Sequence, residues 1–171
     1  MAITLDGSNV NTVGVINSKT AVASTSGTSI DFTGIPSGVK RITVMFNGVS
    51  LTGTDALLIQ LGDSGGIETT GYSSAVAFVG ASTSGNSRTD GYVITVSGNA
   101  SNTYAGAITI VNLSGNTWVA NGGMIYESTT PTSFVMVSTG VKTLSAQLDR
   151  LSVTRTGTNT FDAGTINILY E

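Results

Sequence analysis

The sequence predicts an all-β protein, and three observations support this fold class. No window of about a dozen residues places apolar side chains at the i, i+3, i+4 and i+7 positions of an amphipathic helix. Short runs in which apolar and polar residues alternate recur along the chain instead. Between these runs lie clusters of Gly, Ser, Asn and Asp, which favour turns. We therefore predict an antiparallel β-sandwich.

The clearest predicted strand is the segment 40–47. Ile42, Val44 and Phe46 share one of its faces, because successive side chains of a strand point to opposite sides. The same alternation predicts further half-buried strands at Leu57, Ile59 and Leu61, at Tyr92, Ile94 and Val96, at Ile108 and Ile110, at Trp118 and Ala120, and at Ile166, Ile168 and Tyr170.

Turn signals separate the predicted strands. They lie at Gly27, 63–66, 84–86, 97–99, 114–116 and 156–159. Between 142 and 155 the apolar positions change from even numbers, ending at Leu148, to odd numbers, beginning at Leu151. This slip of phase predicts a bulge or a tight turn at Asp149 and Arg150.

The domain organisation is simple, since 171 residues is the usual size of one domain and the chain contains no internal repeat or linker. Residues 1–20 alternate weakly and carry no charge between Asp6 and Lys19. We predict that they form an extended N-terminal arm, with a first strand of the sandwich as an equal alternative. Residues 21–171 are predicted to form a single β-sandwich domain.

The composition excludes several classes of partner. Charged residues make up 10% of the chain, the net charge is -3, and no segment gathers cations into a patch that would neutralise phosphates. No apolar run has the length of a membrane span or of a signal sequence. We therefore expect no nucleic-acid binding, no membrane insertion and synthesis in the cytoplasm.

The chain contains no histidine and no cysteine, which excludes catalysis by a Ser-His-Asp triad or by a thiol. It also excludes metal sites that use imidazole or thiolate ligands. The best remaining carboxylate pair is Asp63 with Glu68, which could act on glycosidic bonds or contribute to a calcium site. We favour a solvated turn with a flanking acid, because loop spacing does not fix a carboxyl separation and calcium needs more ligands. The segment 14–20 lacks the second glycine of a phosphate loop. The chain is therefore predicted not to be an enzyme, with no catalytic residue, cofactor or metal.

Aromatic residues offer one further candidate site. Trp118, with Tyr72, Tyr92, Tyr104 and Tyr126, could form a platform for a sugar ring. We favour packing in the core or a subunit interface, because Trp118 alternates with Ala120 in a predicted strand.

Several strings of the sequence resemble a domain of structural and tail-fibre proteins of tailed bacteriophages. They are 28–37, 39–50, 58–72, 115–119, 142–146 with 148–150, and 161–171. The opening Met-Ala-Ile-Thr-Leu-Asp-Gly is similar to the start of phage tail and virion proteins. Gly38 stands where many relatives have an aromatic residue, so a contact made by that side chain does not carry over to this chain.

The resemblance implies a jelly-roll β-sandwich that assembles as a homotrimer and is mounted on the virion. The leading interpretation is a tail-fibre or tail-tip component that docks on other virion proteins through its N-terminal arm. A capsid decoration protein that stabilises the head shell is the first alternative. A carbohydrate-binding module is the second alternative, and its expected ligand is a glycan on the host surface. Loops at 80–90 and 127–133 are the predicted outward contacts.

Overall fold

The computed structural model describes residues 16–80, 84–127 and 134–171, and every regular element in this part of the chain is a strand. The strands are β1 Asn17–Ser18, β2 Val22–Ala23, β3 Ile30–Thr33, β4 Arg41–Leu51, β5 Leu57–Asp63, β6 Gly66–Ile67, β7 Tyr72–Val79, β8 Ser84–Arg88, β9 Tyr92–Val93, β10 Thr103–Ser114, β11 Thr117–Glu127, β12 Phe134–Thr143, β13 Arg150–Arg155 and β14 Phe161–Tyr170. The all-β prediction is confirmed.

The strands form two antiparallel sheets. The large sheet has nine strands in the order β1-β14-β4-β10-β11-β12-β7-β8, with β2 also paired to β14. The small sheet has five strands in the order β3-β13-β5-β6, with β9 also paired to β5. The sheets pack face to face, so the predicted antiparallel β-sandwich is confirmed. The jelly-roll type stays a prediction.

The hydrophobic core lies between the two sheets. Ile42, Val44 and Phe46 of β4 point into it as their alternation predicts, and Ile108 and Ile110 of β10 lie beside them. In the small sheet, β5 is more deeply buried than predicted, because it is covered on both faces and not only on one. The division into an arm and one domain stays a prediction.

The structure corrects three local predictions. The segment 84–86 is not a turn but part of β8, which pairs with β7 at the edge of the large sheet. The strand predicted over 92–96 ends at Val93, after which the chain crosses the inner face as a loop. The phase slip after Leu148 is neither a bulge nor a tight turn within one strand. Residues 144–149 carry the chain from β12 of the large sheet to β13 of the small one.

The N-terminal part of the described chain joins the large sheet. Asn17 and Ser18 pair with the last strand, β14, and the segment 22–23 pairs with β14 farther along. Residues 17–18 of the predicted arm are therefore a short strand, and the choice between an arm and a first strand of the sandwich stays a prediction. Residues 1–15 of that arm lie outside the described residues. The described part of the chain has no helix with the length and hydropathy to cross a membrane.

Candidate functional site

The predicted carboxylate pair lies in a cluster of polar side chains that joins the two sheets. On the side of the small sheet, Asp63 ends β5 and Glu68 follows β6. On the side of the large sheet, Lys142 lies near the end of β12 and Ser145 follows that strand. We call these four residues the inter-sheet polar cluster. Asp63 and Lys142 are buried, which is unusual for charged residues and requires that they be paired.

Every carboxylate oxygen of this cluster has a partner. Asp63 accepts hydrogen bonds from the Ser145 hydroxyl at 2.7 Å and from the Gly65 backbone at 2.8 Å. Glu68 accepts a hydrogen bond from the Ser145 backbone at 2.7 Å and forms an ion pair with Lys142. The Lys142 ammonium also donates to the Thr70 carbonyl at 2.9 Å. The cluster therefore connects a turn of the small sheet to the end of a large-sheet strand.

The ionisation of the pair does not match that of a glycosidase. Hydrogen bonds from Ser145 and Gly65 lower the pKa of Asp63. Burial raises the pKa of Glu68, but the hydrogen bonds from Lys142 and Ser145 outweigh it and the net pKa is lowered. Glycoside hydrolysis by a carboxyl pair needs one acid with a raised pKa. The arrangement is that of a structural ion-pair network, and the predicted solvated turn is wrong for Asp63 because its carboxylate is buried.

The lowered pKa values predict that acid destabilises the fold. Below about pH 5 the unfolded chain takes up protons on these two carboxylates before the folded chain does, so the free energy of unfolding falls as the pH falls to about 3. Urea denaturation at pH 7 and pH 4 measures this loss. A variant with Asp63→Asn and Glu68→Gln is expected to be less stable at pH 7 and to lose less on acidification. An unchanged pH dependence would contradict the assignment.

The predicted sugar platform is not on the surface. Trp118 is 4% exposed, and Tyr72, Tyr92 and Tyr104 are buried as well. The Tyr92 hydroxyl donates to the Trp118 carbonyl at 2.8 Å, and the Tyr72 hydroxyl donates to the Glu68 carbonyl at 3.0 Å. The rings of Tyr72 and Tyr92 meet edge to face with centroids 5.1 Å apart. Core packing, the favoured interpretation, is confirmed for these four residues.

The opposite side of the large sheet is a surface that the sequence interpretation missed. We call the outward side chains of four adjacent strands the outer face. They are Ser73, Ala75, Ala77 and Val79 of β7, Val135, Val137, Thr139 and Val141 of β12, Val119, Asn121, Gly123 and Ile125 of β11, and Ala105, Ala107, Thr109 and Val111 of β10. None of these side chains is charged, and Val137 is 52% exposed.

Cross-strand register aligns the apolar side chains of the outer face into rows. Val135 lies directly between Val79 and Ile125, and Val141 lies beside Val119. One signal in the sequence could have revealed this surface: the run Phe134-Val-Met-Val137 is apolar on both faces of its strand. A strand with water on one face normally alternates apolar and polar residues.

The predicted contact loops are only partly described. Residues 84–88 of the segment 80–90 are β8, and 81–83 lie outside the described residues. Of the segment 127–133, only Glu127 is described, and it ends β11. In the described residues, no group of three or more Asp and Glu side chains is arranged to hold a metal ion.

Comparisons with known proteins add no relative. No family model, no curated protein and no solved structure matches the chain.

Proposed function

We propose that this chain is a structural protein of a tailed-phage virion that assembles as a homotrimer through its outer face. The observation that carries the self-assembly is the uncharged apolar surface of β7, β12, β11 and β10. The resemblance of residues 28–171 to phage structural proteins supports the virion context. A tail-fibre or tail-tip component is the leading location, and a capsid decoration protein on the head shell is the alternative.

The size of the outer face suits a subunit contact. It continues onto the flanking strands β8 and β4, whose outward residues include Ser87, Thr43 and Met45. Counted over six strands about 4.8 Å apart and about seven residues of each, the outer face together with the outward residues of β8 and β4 has an area of about 700 Å². A stable interface buries about 800 Å² on each partner. Monomeric proteins seldom expose apolar patches larger than a few hundred Å², so we expect another molecule to cover this surface.

The charge distribution favours a second copy of this chain as that occupant. In a trimer the side chains nearest the threefold axis meet their own copies, and like charges in contact there oppose association. Among the residues that the structure describes, the outer face has no charge at its centre, and charged groups lie at its margin, in the Arg41–Glu171 ion pair and at Glu127. This matches the apolar centre and polar rim of known interfaces.

A lysine placed in the centre of the outer face tests the proposal. We expect the native chain to sediment at three times the chain mass, and Val137→Lys to sediment as a folded monomer, because the new ammonium groups would be desolvated at the contact. Analytical ultracentrifugation measures the mass, and circular dichroism checks the fold.

Val22→Lys is the matched control. Val22 is also an exposed valine on a strand of the large sheet, but it pairs with the buried Ile166 and so lies on the other side of that sheet. It is expected to keep the native mass. A native chain that is monomeric at micromolar concentration, or a Val137→Lys variant that remains trimeric, would refute assembly through the outer face.

The location on the particle is tested by a cryo-electron microscopy map fitted with the trimer. Density at the tail is expected for the fibre or tip role, and density on the head shell would assign the decoration role. Removing residues 1–15 is expected to abolish attachment while the sandwich stays folded. Attachment that survives this truncation would refute docking through the arm.

A further inference from the structure

A cleft of about 400 Å³ opens on the inner side of the large sheet, near the ends of β7, β10, β11 and β12. Five strands in the small sheet cannot cover the inner face of a nine-stranded sheet. Phe78, Tyr126 and Phe134 point to this inner side and remain half-buried for that reason. The cleft has the volume of a small-molecule site.

The aromatic side chains of the cleft form a row across adjacent strands. Tyr104 is directly opposite Tyr126, and Tyr126 is directly opposite Phe134. The ring centroids of Tyr126 and Phe134 are 5.9 Å apart with planes 17° from parallel, and those of Tyr104 and Tyr126 are also 5.9 Å apart. Phe78 packs against Phe134 at 4.8 Å. Because these rings come from paired strands, their spacing is fixed by the sheet.

The loop between β9 and β10 forms the polar wall of the cleft. Its start is fixed to the large sheet, since the Val93 carbonyl accepts a hydrogen bond from Ser138 at 2.6 Å and the Val96 backbone donates to the Met136 sulfur at 3.4 Å. Gly98 lies so close to Tyr104 that a Cβ there would be 2.2 Å from the tyrosine hydroxyl. The wall is therefore held in place without a ligand.

Asn102, on this wall, has an unsatisfied polar atom. It lines the cleft, it is 2% exposed, and its Oδ1 has no hydrogen-bond partner within the described chain. Burying a polar atom without a partner costs about 1–3 kcal/mol, so such an atom needs an explanation. Ser97 and Asn99 add exposed hydroxyl and amide groups to the same wall.

We propose that this aromatic cleft, defined by Phe78, Tyr126, Phe134, Asn99 and Asn102, binds an uncharged saccharide. The aromatic rings provide apolar contact area for the C–H groups of a sugar. Asn side chains offer both donors and an acceptor, which matches a sugar hydroxyl that donates and accepts. The site does not depend on the proposed assembly, because it lies on the other side of the large sheet from the outer face.

The charge of the lining decides the class of saccharide. No Lys, Arg, Asp or Glu is among the described residues that line the cleft. A phosphate or a carboxylate on the ligand would find no ion-pair partner there, and desolvating it would be unfavourable. An apolar peptide would fill the aromatic row but leave the Asn99 amide and the Asn102 Oδ1 without partners, which makes it the weaker candidate.

The experiment titrates the full chain with maltohexaose, cellohexaose and mannohexaose while amide NMR resonances are recorded. We expect at least one of these sugars to shift the resonances of Gly98 and Asn102 to saturation. Tyr126→Leu, which removes the ring and keeps apolar bulk, should weaken binding about tenfold. Asn99→Ala changes an exposed side chain with little effect on folding and should weaken binding as well.

Tyr170→Leu is the matched control, because Tyr170 is a half-buried tyrosine of the same sheet at its far side, on β14. It should bind the sugar as the native chain does. The proposal would be overturned if none of the three sugars shifted these resonances. It would also be overturned if Tyr126→Leu bound the sugar as tightly as the native chain. Shifts of Gly98 and Asn102 that appear only on raising the protein concentration would instead assign the cleft to a peptide segment of another copy. Sugar binding by the monomeric Val137→Lys variant would separate this site from the assembly.

Discussion

Replacing Lys142 by methionine is expected to lower the free energy of unfolding by about 3 kcal/mol. The ammonium group is buried at the end of β12, where it pairs with Glu68, donates to the Thr70 carbonyl and lies 5.2 Å from the centre of the Tyr72 ring. Methionine fills a similar volume but removes the donor from one carboxylate oxygen of Glu68 and from the Thr70 carbonyl. Removing one partner of the pair costs more than removing both, because Glu68, whose side chain is 21% exposed, keeps its charge in a partly desolvated site.

The comparison is made by urea denaturation at one protein concentration, since assembly would make stability depend on concentration. Lys40→Met is the control, because Lys40 is exposed and donates to the Asn112 side chain at 3.1 Å. It should change the stability by about 0.5 kcal/mol or less. Adding Glu68→Gln to Lys142→Met should restore part of the loss. A Lys142→Met variant as stable as the Lys40→Met control would contradict the structural role of the cluster.

The sequence predicted strands best where one face of the strand is buried in the core and the other faces the solvent. Ile42, Val44 and Phe46 show this, because burial on a single face imposes a period of two on the sequence. β5 was predicted as half-buried, yet both of its faces are covered, and a strand buried on both faces loses the alternation that would identify it.

Local turn preference failed where strand pairing was decisive. Gly85 and Asn86 favour turns, but they pair with Ala77 and Val76 as an edge strand of the large sheet. Strand preference depends on context more than helix preference does, so the hydrogen bonds between β7 and β8 outweigh the local preference of Gly85 and Asn86 for a turn. The crossing at 144–149 was missed for another reason: Leu144 and Leu148 are buried without being in a strand, and their spacing imitated one.

The surfaces that carry both proposals depend on contacts between residues far apart in the sequence. The row of Tyr104, Tyr126 and Phe134 exists only because β10, β11 and β12 pair in one register. A tyrosine in an alternating strand points either to the core or to the solvent. Only the extent of the opposite sheet decides whether an inward ring is covered, as Tyr72 is, or half-exposed, as Tyr126 is.

Replacing Gly122 by alanine is expected to destabilise the sandwich by about 3 kcal/mol or more. Gly122 lies on β11 opposite Ile108 of β10, and a Cβ there would be 2.3 Å from the Ala107 carbonyl oxygen and 2.8 Å from the Ile108 Cα. Both atoms belong to the backbone, so no rotation of a side chain removes the clash. β10 also pairs on its other edge with β4, which prevents it from moving away.

Gly123→Ala separates this close approach from the general effect of a glycine in a strand. The neighbouring glycine lies on the outer face, and its added Cβ would be 3.4 Å from the Met136 carbonyl oxygen, an ordinary contact. Alanine should therefore be neutral or stabilising there by about 0.4–1 kcal/mol, because it restricts the unfolded chain. Thermal and urea denaturation of the two variants measure the difference, with Val137→Lys added to each so that assembly through the outer face does not contribute. Equal stabilities would mean that β10 and β11 can separate at Gly122, and that the pairing of the large sheet at this point is looser than the structure shows.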